Sequence, residues 1–280
     1  MTVKVVSDSQ HIGEKAKRGG EQLAHARQLG WLARVGLVAR GGVYFVIGLL
    51  ALELALGEGG KATSQQGAMK TIAAQPFGKV LLILLAIGLA GYALWRLTRA
   101  AIGHGAEQRD SAGDRVAALA SGIAYLILCV TAVSILVGAG STSGSPKEAT
   151  AGVLGWSGGT VLVAIAGIVL IGVAMYQAHR GLSRNFLEDA ETNEMSAGVR
   201  KAYTALGVVG LVARAVIFAL IGYGLIKAAI DYQPKEAVGI EGALRKLTET
   251  SFGPLLLGAV AAGLIVFALY SIADARYRKV

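Results

Sequence analysis

Three stretches of this chain carry no Asp, Glu, Lys or Arg: Val116–Pro146, Ala149–Gln177 and Thr250–Ala273. Each exceeds the ~20 residues that an α-helix needs to cross a bilayer core. Runs of this kind leave few folds open. In hydrocarbon, every backbone N–H and C=O must find its partner within the segment or in a closed barrel. A barrel would show segments of about ten residues with alternating polarity, and none is present. The runs are therefore read as membrane-spanning helices. Composition agrees: 16% of residues are charged, where a soluble domain carries about a quarter.

The remaining spans are less clean. Val80–Trp95 holds sixteen uncharged residues between Lys79 and Arg96. At about 1.5 Å per residue it is slightly short, but both flanking side chains are long enough to snorkel to the interface. Two further apolar stretches each open on the pentapeptide GLVAR, at Gly36–Arg40 and Gly210–Arg214. The expectation is an all-α membrane protein with six transmembrane helices, at 36–56, 79–98, 116–137, 158–178, 207–229 and 254–273. Residues 1–30 form a basic tail with no apolar stretch of the signal-peptide kind, so the first span is read as an uncleaved anchor. With the tail inside, nineteen of the twenty-seven Lys and Arg residues fall on the inner side. Positive charge favours the cytoplasmic side, so both termini are expected there. The net charge of +9 then anchors topology against an anionic leaflet. Nucleic acid is not an expected partner, because no aromatic-interleaved basic patch accompanies the tail. The single cysteine, Cys129, lies within the third span and reads as a small packing residue.

GLVAR marks a longer internal repeat. Adding 174 to the first-span numbering carries Gly36, Arg40, Ile47 and Gly48 onto Gly210, Arg214, Ile221 and Gly222. Adding 175 beyond the following loop carries Phe77, Gly78, Gly88 and Trp95 onto Phe252, Gly253, Gly263 and Tyr270. A shift of 81 gives a weaker middle copy, in which Ser121 takes the arginine's place. The unit is a two-helix hairpin with a short amphipathic piece in its loop, at 31–103, 112–182 and 200–278. Because every copy starts on the same side, the repeats are parallel, and a pseudo-threefold bundle is the simplest closed packing. The many glycines within spans report close helix approach rather than catalysis or phosphate binding.

Two sets of residues stand out. Glu53 and Lys227 hold one repeat position, about a turn below the outer surface, with Ser134 in the middle copy. Their opposite charges suggest an intramembrane pair; the alternative is that each snorkels to the headgroups or finds another partner. Arg40 and Arg214 sit near the cytoplasmic boundary. Lipid phosphate suits an arginine there, and Asp274, which ends the last span where the other copies have Arg99 and Arg180, is the alternative partner. The four histidines show no metal-ligand spacing, and no carboxylate pair, nucleophile motif or phosphate loop is present. No cofactor is expected. The mid-membrane polar groups are hydroxyls and aromatics such as Tyr44, Tyr92, Tyr125, Thr131 and Tyr223, which argues against ion-coupled transport.

The GLVAR opening, the QPFG entry into the second helix and the YALWR and FALYS exits resemble the domain-of-unknown-function 1206 family, over about residues 31–278. The resemblance implies a six-span protein of the bacterial inner membrane, and it transfers no active-site residue. The expected function is a non-enzymatic membrane module that meets anionic lipid headgroups or other membrane proteins. The alternatives are a permease or channel between spans one, three and five, and an enzyme built around Gln177, His179 and Arg180.

Overall fold

A computed structural model describes residues 27–58, 60, 62–102, 112–139, 146–249 and 251–279. The greater part of the basic tail lies outside these residues. Nine α-helices occur among them. Six are long: α1 (Arg27–Leu56), α3 (Gly78–Ile102), α4 (Ala112–Leu136), α6 (Gly159–Leu182), α7 (Ala197–Ile230) and α9 (Gly253–Tyr277). All six are long and apolar enough to cross a membrane, and the protein is a multi-pass membrane protein. Three are short: α2 (Gln65–Ala73), α5 (Pro146–Leu154) and α8 (Ile240–Thr248). Each sits in the loop of one hairpin, so the middle copy has the short helix too.

The long helices outrun the expected spans at the end where the described chain begins and ends, here called the terminal end. Polar extensions continue the helix there: α7 starts at Ala197, capped by the Ser196 hydroxyl, which accepts from the Val199 amide at 3.4 Å. At the opposite, loop end, the stops are sharp. Gly57 and Gly138 take left-handed backbone (φ 77 and 71) just past α1 and α4, which only a glycine adopts without strain. Each short helix then turns directly into the next long one at Gly78, Gly159 and Gly253. The carbonyls of Ile72, Val153 and Thr248 lie where a Cβ on these glycines would have to go.

The helices are arranged by the repeat. The second helix of each copy packs on the first helix of the next: α3 on α4, α6 on α7, α9 on α1. One repeat position makes all three junctions. A Cβ on Gly222 would lie 2.8 Å from the Gly167 carbonyl, and one on Gly48 would lie 3.0 Å from the Ala261 carbonyl. In the third junction the Cys129 thiol donates to the Ala86 carbonyl at 3.5 Å. Gly48, Cys129 and Gly222 are repeat equivalents, as are Ala86, Gly167 and Ala261. Close backbone approach at small residues is how helices associate in a medium as apolar as they are.

The bundle is pseudo-threefold but not closed. The two helices within a hairpin pack together in copies one and three (α1 with α3, α7 with α9), while α4 and α6 barely touch. Gly36 and Gly210 allow those hairpins to close, lying against Tyr92 and Phe267. The middle copy has Ala117 and Val173 at these places. Its seam stays open: Trp95 and Tyr270 are 2% and 3% exposed, but their equivalent Tyr176 is 51% exposed.

Candidate functional site

Side chains from five long helices converge between the middle of the bundle and its terminal end. Tyr44 on α1 meets Phe267 on α9 edge-to-face at 5.0 Å, and Tyr92 on α3 meets Tyr125 on α4 at 4.5 Å. Two arginines thread this aromatic layer. Arg40 donates through Nε to the Ser271 hydroxyl at 3.2 Å, and its guanidinium lies over the Phe267 ring at 5.1 Å. Arg214 donates through Nε to the Tyr44 hydroxyl at 3.2 Å and lies over the rings of Tyr44, Phe218 and Phe267. A guanidinium over a ring gains about 0.5–2 kcal/mol.

Depth follows from helix length. Arg40 is sixteen residues from the end of α1 and Arg214 sixteen from the end of α7. At 1.5 Å per residue that is about 24 Å, against a hydrocarbon core of about 30 Å. Both arginines therefore lie roughly one turn inside the terminal-side boundary.

Asp274 joins this layer to the terminal end. It is 1% exposed and meets three partners. It accepts from the Tyr203 hydroxyl at 2.9 Å and from Arg278 Nη1 at 2.7 Å, and Arg40 Nη2 is 3.8 Å away. The structure brings Arg40 and Asp274 together. For Arg214 no carboxylate partner occurs among the described residues.

Local folding of the α6–α7 loop brings in a second carboxylate. The Phe186 ring fills the space above Gly207 and packs on Tyr203 and Tyr270. The chain then runs antiparallel to the C-terminal segment, where the Glu191 amide donates to the Tyr277 carbonyl at 2.7 Å and the Lys279 amide to the Asp189 carbonyl at 2.9 Å. This places the Asp189 carboxylate on Arg180 and, at 3.2 Å, on Arg278. Burial pushes the Asp189 carboxyl up, but Arg278, Arg180 and Arg99 outweigh it and hold it below the usual carboxylate range. Arg278 is likewise disfavoured by burial, yet Asp274 and Asp189 with nearby tyrosines keep it charged. Asp189 and Arg278 are site residues that the sequence did not reveal. Neither lies in a span, and only the folded loop brings them together.

At the loop end the proposed Glu53–Lys227 pair does not form. Lys227 Nζ lies 3.3 Å from Glu236 Oε2, which also meets Lys246 Nζ at 3.1 Å. Hydrogen bonds from these two lysines hold the Glu236 carboxyl below its ordinary range. Equal depth does not make two side chains neighbours: α1 and α7 meet where Arg214 reaches Tyr44, but α9 is the helix on which both pack extensively. Glu236 follows Lys227 by nine residues, in a single 3₁₀ turn (Pro234–Glu236) that folds back on α7. Ser134, the third residue at this repeat position, donates its hydroxyl to the Val130 carbonyl at 2.9 Å. Around the terminal end of α6, His179 is exposed, Gln177 is buried and Arg180 is turned to Asp189.

Arginine is in excess throughout this region. Arg96 donates to the Tyr92 hydroxyl at 3.2 Å, and Arg99 and Arg278 lie over Trp95 at 4.1 and 5.8 Å. With Arg40, Arg180 and Arg214 that makes six guanidinium groups in this region, of which Arg40, Arg180 and Arg278 meet the carboxylates Asp189 and Asp274. Such an arrangement can hold anions; the carboxylates themselves are committed to arginines.

Comparison with known proteins bears on the architecture. No solved structure matches the chain. A protein of Bacillus subtilis (strain 168), named "Uncharacterized protein YxxB", is 33% identical over 248 residues, covering 88% of this chain and 90% of that one. The profile described as "Domain of Unknown Function (DUF1206)" matches three times, at residues 35–103, 116–184 and 209–278. These are the three hairpins, in register with the repeat read from GLVAR, and the chain belongs to the DUF1206 family.

Proposed function

We propose that the protein is a non-enzymatic membrane module whose terminal end, on the cytoplasmic side, gathers anionic lipid headgroups. The observation that carries this reading is the surplus of arginine at one membrane boundary: Arg40, Arg96, Arg99, Arg180, Arg214 and Arg278, against the two carboxylates Asp189 and Asp274 that Arg40, Arg180 and Arg278 meet. Guanidinium groups bind phosphate through paired N–H donors, and the inner leaflet supplies phosphate at that depth. The distribution of Lys and Arg along the chain supports the cytoplasmic placement. A path along the pseudo-threefold axis is less well supported. At the level of Arg40 it would meet Tyr44, Tyr92, Tyr125 and Phe267, all buried.

The test is lipid selectivity of the full chain. Purified from membranes and reconstituted with mixed lipids, the protein should retain phosphatidylglycerol in preference to phosphatidylcholine, and salt should weaken the preference. Equal retention of both lipids, together with a second membrane protein in stoichiometric amount, would replace this reading with partner docking.

A further inference from the structure

The three junctions between copies are geometrically equivalent but not equally neutralised. At the α9–α1 junction, Arg40 has Ser271 on its Nε and Asp274 beside it. The equivalent positions at the α6–α7 junction are Arg214, Gln177 and Arg180. Arg180 turns away to Asp189. Among the described residues Arg214 reaches only the Tyr44 hydroxyl and three ring faces, and it is partly exposed. Gln177 is 8% exposed, and its Oε1 has no hydrogen-bond partner. The Oγ of Ser121, the middle copy's equivalent of the two arginines, is also buried without a partner. Arg40 lies over Tyr92 on α3 and Phe267 on α9; the equivalents for Arg214 are Phe267 and Val173 on α6, so the ring it lacks is on the side of the open hairpin. The walls of that opening are apolar: Ala124 on α4 and Val169, Val173 and Tyr176 on α6 are all exposed.

We propose that the seam between α4 and α6 holds one anionic phospholipid, its phosphate taking on Arg214 the place that Asp274 takes on Arg40. This rests on the lipid-binding reading above and makes it specific. An uncompensated guanidinium just inside hydrocarbon needs an anion. An acyl chain is the matching occupant of an apolar slot that begins at that guanidinium and opens sideways. The unpartnered acceptors Gln177 Oε1 and Ser121 Oγ favour a headgroup with hydroxyl donors, such as glycerol. A carboxylate from a partner protein would meet the same guanidinium but would leave the exposed apolar walls of the slot to be covered by something else, whereas a phospholipid supplies both the anion and the acyl chain.

Native mass spectrometry of the full chain in detergent tests this, with phosphatidylglycerol, phosphatidylcholine and inorganic phosphate as probes. Wild type should keep a single phosphatidylglycerol with at least tenfold preference over phosphatidylcholine, and inorganic phosphate should not displace it. Arg214→Gln should lose the preference. Gln177→Glu should lose it too, since an internal carboxylate then neutralises Arg214. Val173→Phe, which restores the aromatic that Tyr92 and Phe267 supply elsewhere, should block the seam. Thermal unfolding of each variant separates lost binding from lost fold. Arg276→Gln, on the exposed surface, should bind as wild type does. Undiminished single-lipid binding by Arg214→Gln and Gln177→Glu would overturn the proposal while leaving a general anionic preference intact. Displacement by inorganic phosphate would overturn it in favour of a free-anion site. No preference in wild type would sink both this and the broader reading.

Discussion

Asp274 carries the heaviest electrostatic role of any single residue here. It is buried with two guanidinium groups and a tyrosine hydroxyl, so its removal leaves Arg40 without a carboxylate and Arg278 with Asp189 alone. Breaking a buried pair at one partner costs about 3–5 kcal/mol. Asp274→Asn should lower the midpoint of thermal unfolding in detergent clearly, whereas Glu53→Gln should change it little. Asp189 gives a pH signature. Its carboxyl is held below the usual range in the folded protein. The stabilisation it brings is present above the ordinary carboxylate pKa and fades as pH falls through the lowered one. Wild-type melting temperature should therefore drop between pH 7 and pH 3, and Asp189→Asn should show a shallower drop; equal slopes would remove Asp189 from the account. The sequence showed half of this cluster. Asp274 was visible because it breaks a repeat position otherwise held by Arg99 and Arg180. Asp189 was not, because its contacts depend on the α6–α7 loop folding onto the C-terminal segment, and no periodicity reports that.

At the scale of elements, the repeat made the hairpins legible and the middle copy's divergence hinted at the seam. Six apolar runs and three registers of glycine fix which helices exist and which faces approach. They do not say that α4 and α6 part company. That goes with a small change, Val173 for Tyr92 and Phe267, which reads in sequence as ordinary drift. The helix ends were also understated, since polar residues continue α1, α3 and α7 past the apolar window once tertiary contacts satisfy them. Glycines within the spans should then be sharply unequal under substitution. A Cβ on Gly222 meets the Gly167 carbonyl at 2.8 Å, whereas one on Gly172 meets nothing within 4 Å. Gly222→Val should destabilise by about 1–3 kcal/mol through overpacking, and Gly172→Val should be near neutral. Comparable unfolding temperatures for the two variants would contradict the packing described.

For the whole molecule, the decisive quantity is the side of the membrane on which the arginines lie. Nineteen Lys and Arg residues fall at the terminal end or in the tail and eight at the loop end. The lipid reading depends on the former facing the cytoplasm, where the leaflet is anionic. Charge bias of this size orients multi-span chains, and the three parallel hairpins all place their short loop helices on the other face. The single cysteine makes the test direct. Cys129 sits in the α3–α4 junction where the other copies have glycine, so Cys129→Ala gives a thiol-free background with little loss of packing. On it, Lys279→Cys should react with a membrane-impermeant maleimide only after cells are opened. Lys70→Cys, exposed on α2, should react in intact spheroplasts. The reverse pattern would put the arginine cluster against the outer leaflet and leave the proposed headgroup without its source. Labelling of both positions from one side would contradict the six-span topology itself, since an even number of crossings keeps the two ends together and each hairpin loop apart from them.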